Sequence, residues 1–250
     1  MNRKELLQPA HWPALTLRML RAARAELAAV GALLVLGVGV LSFMEIADDV
    51  GEGDTKGIDM SILMMFREPG DPLTPIGGRW VREAVGDITA LGGWTVLTLF
   101  VLFLVGFLLS LKRWREALVL LVAAMGGTAL GQTLKGVFGR ERPDEAWRLV
   151  EVANASFPSG HAMMSAVVYL TLGALVARFA NRTRVKLFAM TVGVILTAMV
   201  GVSRIYLGAH WPSDVLAGWC VGAAWAMACW LASWAAEKWW GKDVDERTEG

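Results

Sequence analysis

Arginine, histidine and aspartate, three residue types suited to chemistry on an anion, occur together in the segment Ser203–Asp214 between two apolar stretches. Asp214 follows His210 by four residues, so its carboxylate can accept the Nδ1–H of the imidazole and leave Nε2 as a directed nucleophile. Arg204 can donate two parallel hydrogen bonds to a phosphate group. Gly208 and the proline after it favour a sharp turn, which would bring these groups together at one membrane face. The alternative is a short loop that carries ordinary interfacial charges.

A second group of cations precedes a proline in the middle of the chain. In a helix, Lys135 and Arg142 are seven residues apart and fall on nearly the same face. Pro143 marks the position at which such a helix has to stop. We therefore expect both cations to point towards one site at the end of that helix.

The segment Phe157–His161 carries signals for the start of a helix. Pro158 and Ser159 favour the first turn, where backbone N–H groups have no partner within the helix. These N–H groups, the Ser159 hydroxyl and the backbone at Gly160, which a ligand can approach closely, form a predicted anion cradle. His161 lies at its rim, although a lone histidine at this position can also be an ordinary interfacial residue.

Apolar runs of about membrane length must position these groups. The chain has 250 residues, of which 55% are hydrophobic, and a positive mean hydropathy. Its charge-free stretches are each near the roughly 20 residues that cross a bilayer, and flanking cations can extend the shorter ones by snorkelling. We therefore predict an all-α integral membrane bundle of six transmembrane helices. The predicted spans are Leu27–Met44, Ile88–Leu111, Ala117–Leu134, Ala162–Ala177, Leu187–Ser203 and Val215–Ala236.

Six spans place both termini on one side of the membrane, and the basic residues indicate which side. Of the 24 Lys and Arg, 15 fall on the side of the termini and 9 on the other. By the positive-inside rule both termini are cytoplasmic, and the turn at 203–214 faces the exterior. A net charge of +1 gives no indication of nucleic-acid binding. The 15 cations are Arg3, Lys4, Arg18, Arg21, Arg24, Lys112, Arg113, Arg115, Arg178, Arg182, Arg184, Lys186, Lys238, Lys242 and Arg247.

The chain, residues 1–250, is predicted to be a single membrane-embedded domain with short extensions. Residues 1–26 form a cytoplasmic arm, in which 13–24 suit a helix lying on the anionic membrane surface, and residues 237–250 form a cytoplasmic tail. The first span is expected to remain as an anchor, since no small-residue cleavage site follows it.

The segment 45–87, between the first two spans, is expected to form one or two short amphipathic helices over the exterior surface. Ile58, Ile62, Leu63 and Phe66 recur there at near-helical spacing. A solvated acidic surface is favoured over a cation site, because the acids lack the spacing of a calcium loop. These acids are Glu45, Asp48, Asp49, Glu52, Asp54 and Asp59.

All three groups of polar residues fall at the exterior ends of the third to sixth predicted spans. Lys135-x6-Arg142-Pro143, Pro158-Ser159-Gly160-His161 and Ser203-Arg204-x5-His210-x3-Asp214 together resemble the tripartite signature of the type 2 phosphatidic acid phosphatase superfamily. The match is complete at every signature position, and the six-span layout is similar to that of the family's membrane-bound members.

The resemblance implies a role for each residue. His210 would be the nucleophile that forms a phosphohistidine, Asp214 would orient it, and His161 would donate a proton to the leaving alkoxide. It also implies a reaction without a metal ion or other cofactor, in which cations neutralise the phosphoryl charge. The groups that would hold the phosphoryl oxygens are Lys135, Arg142, Ser159, the Gly160 amide and Arg204.

The expected function is therefore hydrolysis of a membrane lipid phosphate or diphosphate at the exterior face of a bacterial inner membrane. Its partners would be the lipid substrate and membrane lipids, with no nucleic acid. Candidate substrates are phosphatidic acid, phosphatidylglycerol phosphate, undecaprenyl diphosphate and lipid A phosphate, and the residues alone do not choose among them. Two alternatives are a vanadate-dependent haloperoxidase, whose signature is similar, and a non-enzymatic lipid carrier or scaffold that uses intramembrane charges for packing.

Overall fold

The computed structural model describes residues 12–152 and 154–249, and the side chains of 26–152 and 154–239. Most of these residues lie in helices, joined by a short β-hairpin and a single 3₁₀ turn at Glu145–Trp147. The helices are α1 (Trp12–Glu52), α2 (Lys56–Met64), α3 (Arg79–Ala90), α4 (Trp94–Ser110), α5 (Trp114–Phe138), α6 (Gly160–Phe179), α7 (Thr183–Tyr206) and α8 (Pro212–Glu249). The hairpin pairs β1 (Arg67–Glu68) with β2 (Asp71–Pro75) in antiparallel register.

Within the described residues, five helices are long and apolar enough to cross a membrane, and a bent pair brings the number up to six. The bent pair is α3 and α4, whose axes differ by 46° across a short break. The predicted span Ile88–Leu111 is therefore wrong as a single helix, because Leu91, Gly92 and Gly93 interrupt it. The mostly helical bundle with membrane-length helices confirms the predicted fold class.

Helix α6 is the most buried of these helices and packs against α4, α5, α7 and α8. Glycines let the backbones approach closely: a Cβ built at Gly222 of α8 would lie 2.5 Å from the Met163 carbonyl oxygen of α6. A Cβ at Gly193 of α7 would lie 2.8 Å from the Tyr169 carbonyl oxygen. Small residues at helix contacts are typical of membrane bundles, where packing rather than the hydrophobic effect holds helices together.

Helices α1 and α8 run antiparallel along one side of the bundle. Glu26 near one end of the apolar part of α1 forms an ion pair with Lys238, with 2.5 Å between Oε1 and Nζ. Near the other end, Ala47 packs in the same cluster as Ala217 at the start of α8. The predicted spans end at Met44 and Ala236, but α1 continues to Glu52 and α8 to Glu249. Both helices therefore extend past the apolar stretches that the sequence marks.

The segment between the first and second predicted spans is more structured than predicted. It contains the end of α1, then α2, the β-hairpin and most of α3, so short helices are present as expected, where one or two were predicted, and the hairpin is an addition. Gly77, with φ of +84°, and the extended Gly78 form the turn that leads into α3. The predicted helix at 13–24 is continuous in backbone with α1, whereas its side chains and residues 1–11 lie outside the described part of the chain.

Candidate active site

The ends of four helices meet at one end of the bundle, and each carries residues of the predicted site. The ends involved are the C-termini of α5 and α7 and the N-termini of α6 and α8, as expected for helices that alternate in direction. The connections between them, 139–159 and 207–211, complete the site. They bring together Lys135, Arg142, Ser159, Gly160, His161, Arg204, His210 and Asp214.

His210 and Asp214 are both fully enclosed, with relative exposures of 2% and 0%. The His210 Nδ1 lies 3.5 Å from Asp214 Oδ2, which is longer than an ordinary hydrogen bond. The Ser156 hydroxyl lies 3.4 Å from the same Nδ1 and donates a short hydrogen bond to Asp214 Oδ2. Gly208 has φ of +64° and supplies the predicted sharp turn before His210. The Nδ1 edge of the imidazole therefore faces the carboxylate, as the i, i+4 spacing predicts.

The opposite edge of the imidazole faces a cation. Arg142 Nη1 lies 3.1 Å from His210 Nε2, and because a guanidinium can only donate, Nε2 is the acceptor and Nδ1 carries the proton. The pKa of His210 is lowered to about 4, chiefly by burial and to a smaller extent by nearby Arg142 and Arg204, whereas Asp214 acts in the opposite direction. His210 is therefore neutral at pH 7, with its Nε2 lone pair directed away from Asp214.

Arg142 reaches the site from a loop, and the prediction that it shares a helix with Lys135 is wrong. Helix α5 ends at Phe138 because Gly139 adopts a left-handed conformation with φ of +55°, so the helix stops before Pro143. The Arg142 guanidinium instead donates to the carbonyls of Asn154 and Ala209 at 2.7 and 2.6 Å. Burial lowers the pKa of Arg142 from its ordinary value. The two carbonyls hold the guanidinium in place beside His210.

Lys135 and Arg204 complete a cluster of three cations that repel one another electrostatically. Lys135 Nζ donates to the Ala155 carbonyl at 2.6 Å and lies beside Gly160, at which a Cβ would be 3.7 Å from the Lys135 Cε. Arg204 is buried and donates from Nη1 to the Thr89 hydroxyl at 3.1 Å, while its Nε has no partner among the described residues. A buried N–H without a partner suits a site that takes up an anion.

The N-terminus of α6 has the predicted capped geometry. Ser159 is the N-cap, and its hydroxyl accepts the Ala162 N–H at 3.5 Å. The Ser159 N–H donates to the Asp214 carbonyl at 2.9 Å, which joins the starts of α6 and α8. His161 follows in the first turn of α6 and packs against Gly92 at the break between α3 and α4. It interacts electrostatically with His210.

The structure also adds three residues that the sequence analysis did not assign to the site: Ser156, Arg140 and Asp59. Arg140 Nη1 contacts Asp214 Oδ1 at 2.6 Å, and Arg140 Nη2 contacts Asp59 Oδ2 at 2.7 Å. The prediction that all the acids of segment 45–59 are solvated is therefore wrong for Asp59, which is 1% exposed. The sequence carried a signal for this, because Ile62, Leu63 and Phe66 follow Asp59 by three, four and seven residues and so share its helical face. In α2 the buried residues are indeed Asp59 and Leu63.

The membrane-length helices are those of a membrane protein. The cationic cluster at a helix N-terminus, beside the buried His–Asp pair, is suited to holding a phosphate-like anion next to a directed imidazole. The sequence pattern of the PAP2 superfamily matches residues 116–238, which include every predicted site residue. Phosphatidylglycerophosphatase B of Bacillus subtilis (strain 168) is 36% identical over 145 residues, covering 57% of this chain and 70% of that protein. The chain belongs to the PAP2 superfamily.

A solved structure and a second relative are also similar to this chain. The crystal structure of a transmembrane PAP2-type phosphatidylglycerolphosphate phosphatase from Bacillus subtilis superimposes with a TM-score of 0.69 and 26% identity, covering 85% of this chain and 96% of that one. Decaprenylphosphoryl-5-phosphoribose phosphatase of Mycobacterium tuberculosis (strain ATCC 25618 / H37Rv) is 31% identical over 134 residues, covering 52% of this chain and 66% of that protein.

Proposed function

We propose that this protein is a phosphatase that hydrolyses the phosphomonoester or diphosphate of a membrane lipid through a phosphohistidine at His210. The observation that carries the proposal is the environment of the His210 ring. Nδ1 faces Asp214 and Ser156, and Nε2 faces the Arg142 guanidinium. A neutral imidazole held in this way directs its Nε2 lone pair towards the place where the Arg142 guanidinium would bind the phosphoryl group.

In the first step the His210 Nε2 attacks phosphorus, the N–P bond forms, and the bond to the leaving oxygen breaks. The imidazole becomes cationic, and the Asp214 carboxylate stabilises it through Nδ1–H. The leaving alkoxide, or phosphate from a diphosphate, takes its proton from His161, which enters this step as the imidazolium and leaves it as the neutral imidazole; His161 lies in the first turn of α6. In the second step water attacks phosphorus, His161 accepts a proton from that water, and the N–P bond breaks to restore neutral His210.

The cationic cluster supplies the charge stabilisation that the reaction needs. The phosphoryl group would lie beside three neighbouring cations, Lys135, Arg142 and Arg204. The N-terminus of α6, with Ser159 and the Gly160 amide, would complete its binding site. Donors held in place before the reaction stabilise charge that develops in the transition state without further reorganisation. Nε2 can approach phosphorus once the Arg142 Nη1–H that faces it donates to a phosphoryl oxygen instead.

A lipid substrate is supported by the position of the site at the ends of membrane-length helices. The phosphate can lie at headgroup level there while the chains remain in the bilayer. An apolar groove of about 340 Å³ between α3 and α7 is lined by residues that include Ile88, Met199 and Ser203, the neighbour of Arg204. Such a groove suits a hydrocarbon chain next to the phosphate. Phosphatidylglycerol phosphate and polyprenyl phosphates fit this arrangement, as do phosphatidic acid and lipid A phosphate.

Phosphate release from a panel of these lipids by the purified protein tests the proposal. We expect hydrolysis to continue in excess EDTA, because three cations supply the charge stabilisation, and orthovanadate to inhibit as a mimic of the trigonal-bipyramidal transition state. Loss of activity on chelation that magnesium restores would contradict the metal-independent mechanism. No phosphate release from any lipid would contradict the proposed function, and bromide oxidation by the vanadate-loaded protein would indicate a haloperoxidase instead.

The distribution of basic residues supports an active site at the exterior membrane face with both termini in the cytoplasm. An alkaline phosphatase reporter inserted at Gly70, in the turn of the β-hairpin, should therefore be active in bacterial cells. The same reporter inserted at residue 181, between α6 and α7, or fused to the C-terminus should be inactive, whereas green fluorescent protein should give the opposite pattern. The fusions are best made in a His210→Ala background, so that the protein's own activity does not contribute. The reverse pattern would place the site in the cytoplasm.

A further inference from the structure

Arg140 bridges two buried carboxylates that come from distant parts of the chain. Its guanidinium contacts Asp214 Oδ1 through Nη1 at 2.6 Å and Asp59 Oδ2 through Nη2 at 2.7 Å. Both carboxylate side chains are nearly inaccessible, at 0% and 2%, and the Arg140 side chain is 14% exposed. Hydrogen bonds between charged groups in such an enclosed setting are strong and directional.

Asp59 is also tied directly to the start of the helix that carries Asp214. Its Oδ1 accepts the Ser213 N–H at 2.9 Å, and its Oδ2 accepts the Ser213 hydroxyl at 2.6 Å. The Ser213 hydroxyl accepts a further hydrogen bond from Arg140 Nη1 at 2.7 Å. A carboxylate at the N-terminus of a helix satisfies a free N–H and is favoured by the helix dipole. Helix α2 therefore holds the first turn of α8 through one side chain.

The bridge determines which oxygen of Asp214 faces His210. Since Arg140 occupies Oδ1, the other oxygen, Oδ2, receives the Ser156 hydroxyl, the Trp211 N–H at 2.9 Å and the Nδ1 edge of His210. Arg140 touches neither His210 nor the cationic cluster in the contacts described, so its effect on the reaction passes through Asp214. Asp59 acts one step further away, by holding Arg140 and Ser213.

We propose that Asp59 and Arg140 are positioning residues for the reaction, which orient the Asp214 carboxylate and through it the His210 nucleophile. The inference rests on the proposed function. It assigns a role to α2, an element outside the part of the chain that carries the three sequence motifs. It also explains why an aspartate occupies the buried face of α2 where the helical pattern calls for an apolar residue.

The test compares kcat and KM for a lipid phosphate in Asp59→Asn, Arg140→Lys and the double variant. Asp59→Asn keeps the size of the side chain but removes the charge that pairs with Arg140. Lysine at 140 keeps a positive charge but cannot contact two carboxylates in the geometry of a guanidinium fork. We expect each single variant to lower kcat about 10- to 100-fold, by analogy with the losses found when groups that orient metal ligands are removed. KM should change little, because Lys135, Arg142 and Arg204 are untouched.

The double variant distinguishes positioning through Arg140 from a purely structural role of Asp59. Asp59→Asn keeps an oxygen that can accept the Ser213 N–H, so this variant tests the link to Arg140. If Asp59 acts through Arg140, its replacement should add less than about twofold to the loss already caused by Arg140→Lys, because residues in one network are not additive. Losses that multiply would overturn the inference, as would single variants with the kcat of the wild-type protein. Asp54→Asn is the matched control, since Asp54 is an exposed acid five residues from Asp59 and should leave kcat unchanged.

Folding and function are separated by two further comparisons. Each variant is checked for monodisperse behaviour in detergent and for its thermal midpoint. If Asp59→Asn does not fold, Arg140→Lys alone decides, and an unchanged kcat in that variant overturns the inference. An inactive wild-type protein would instead contradict the proposed function, whereas an active wild type with unaffected variants contradicts the positioning role only.

Discussion

His210→Ala is expected to abolish phosphate release from every lipid in the panel, with kcat falling by several orders of magnitude. The physical reason is that His210 has one ring nitrogen facing a carboxylate and the other free to attack phosphorus. No other side chain in the described part of the chain combines these two features. The three cations remain in this variant, so binding of the lipid phosphate should persist while turnover is lost. Rapid-quench experiments with labelled substrate provide the measurement: the wild-type protein should accumulate an acid-labile, alkali-stable phosphoenzyme, and the variant should not.

Two companion measurements make the His210 result interpretable. Asp214→Asn keeps the shape of the side chain but favours the wrong tautomer of His210, and by analogy with triad carboxylates it should cost about 10³- to 10⁴-fold in kcat. Thermal midpoints of both variants test for unfolding, because each replacement removes a polar group from a buried hydrogen-bond network. A folded His210→Ala variant that still turns over would overturn the phosphohistidine mechanism at its centre.

His161→Ala is expected to give a loss that depends on the leaving group, which is the second large effect. For an alkyl phosphate, whose alkoxide must be protonated as it departs, kcat should fall about 10²- to 10⁴-fold. For p-nitrophenyl phosphate, whose leaving group is stable as an anion, the loss in the first step should be far smaller. The measurement is kcat for both substrates in the wild type, His161→Ala and His161→Asn.

The ratio of the two losses separates the roles of the two histidines. His210→Ala should fail equally on both substrates, because a nucleophile is needed whatever group departs. Equal losses on both substrates in folded His161→Ala would contradict the proposed proton donor and would point to a role in phosphate binding instead. Pre-steady-state kinetics on p-nitrophenyl phosphate exclude a change in the second step as the cause, because the release of nitrophenol reports the first step alone.

Local sequence patterns were sufficient to predict the features of the site that depend on neighbouring residues. The spacing of His210 and Asp214 places the carboxylate on the Nδ1 side of the imidazole, and Ser159 caps α6 as its residue type favours. Gly208 forms the expected turn. These features follow from short-range geometry that one stretch of chain specifies by itself. The lengths of the apolar runs predicted the membrane-spanning helices for the same reason, since a bilayer of fixed thickness selects for length and hydropathy.

Boundaries that depend on a single conformational choice were predicted less well. Pro143 was expected to end α5, but Gly139 ends the helix one turn earlier by adopting a left-handed conformation. The break at Leu91–Gly93 likewise divides a stretch that carries no charged residue. At Gly92 a Cβ would lie 2.3 Å from Val200 of α7 and 3.4 Å from His161, so the break fits the packing of the neighbouring helices. Composition alone contains no signal for that packing.

The sequence by itself therefore determined the class of fold, most of the membrane-length helices and the residues of the three motifs. Only the tertiary structure decided that Asp59 and Arg140 belong to the same site as Asp214. Asp59 is 154 residues from Ser213 in the chain, and Arg140 is 74 residues from Asp214, so no local periodicity relates them. A charged residue on the apolar face of a short helix shows only that a partner is needed, because burying an unpaired charge is costly. The identity of that partner is set by how α2, the loop after α5 and the start of α8 pack together in three dimensions.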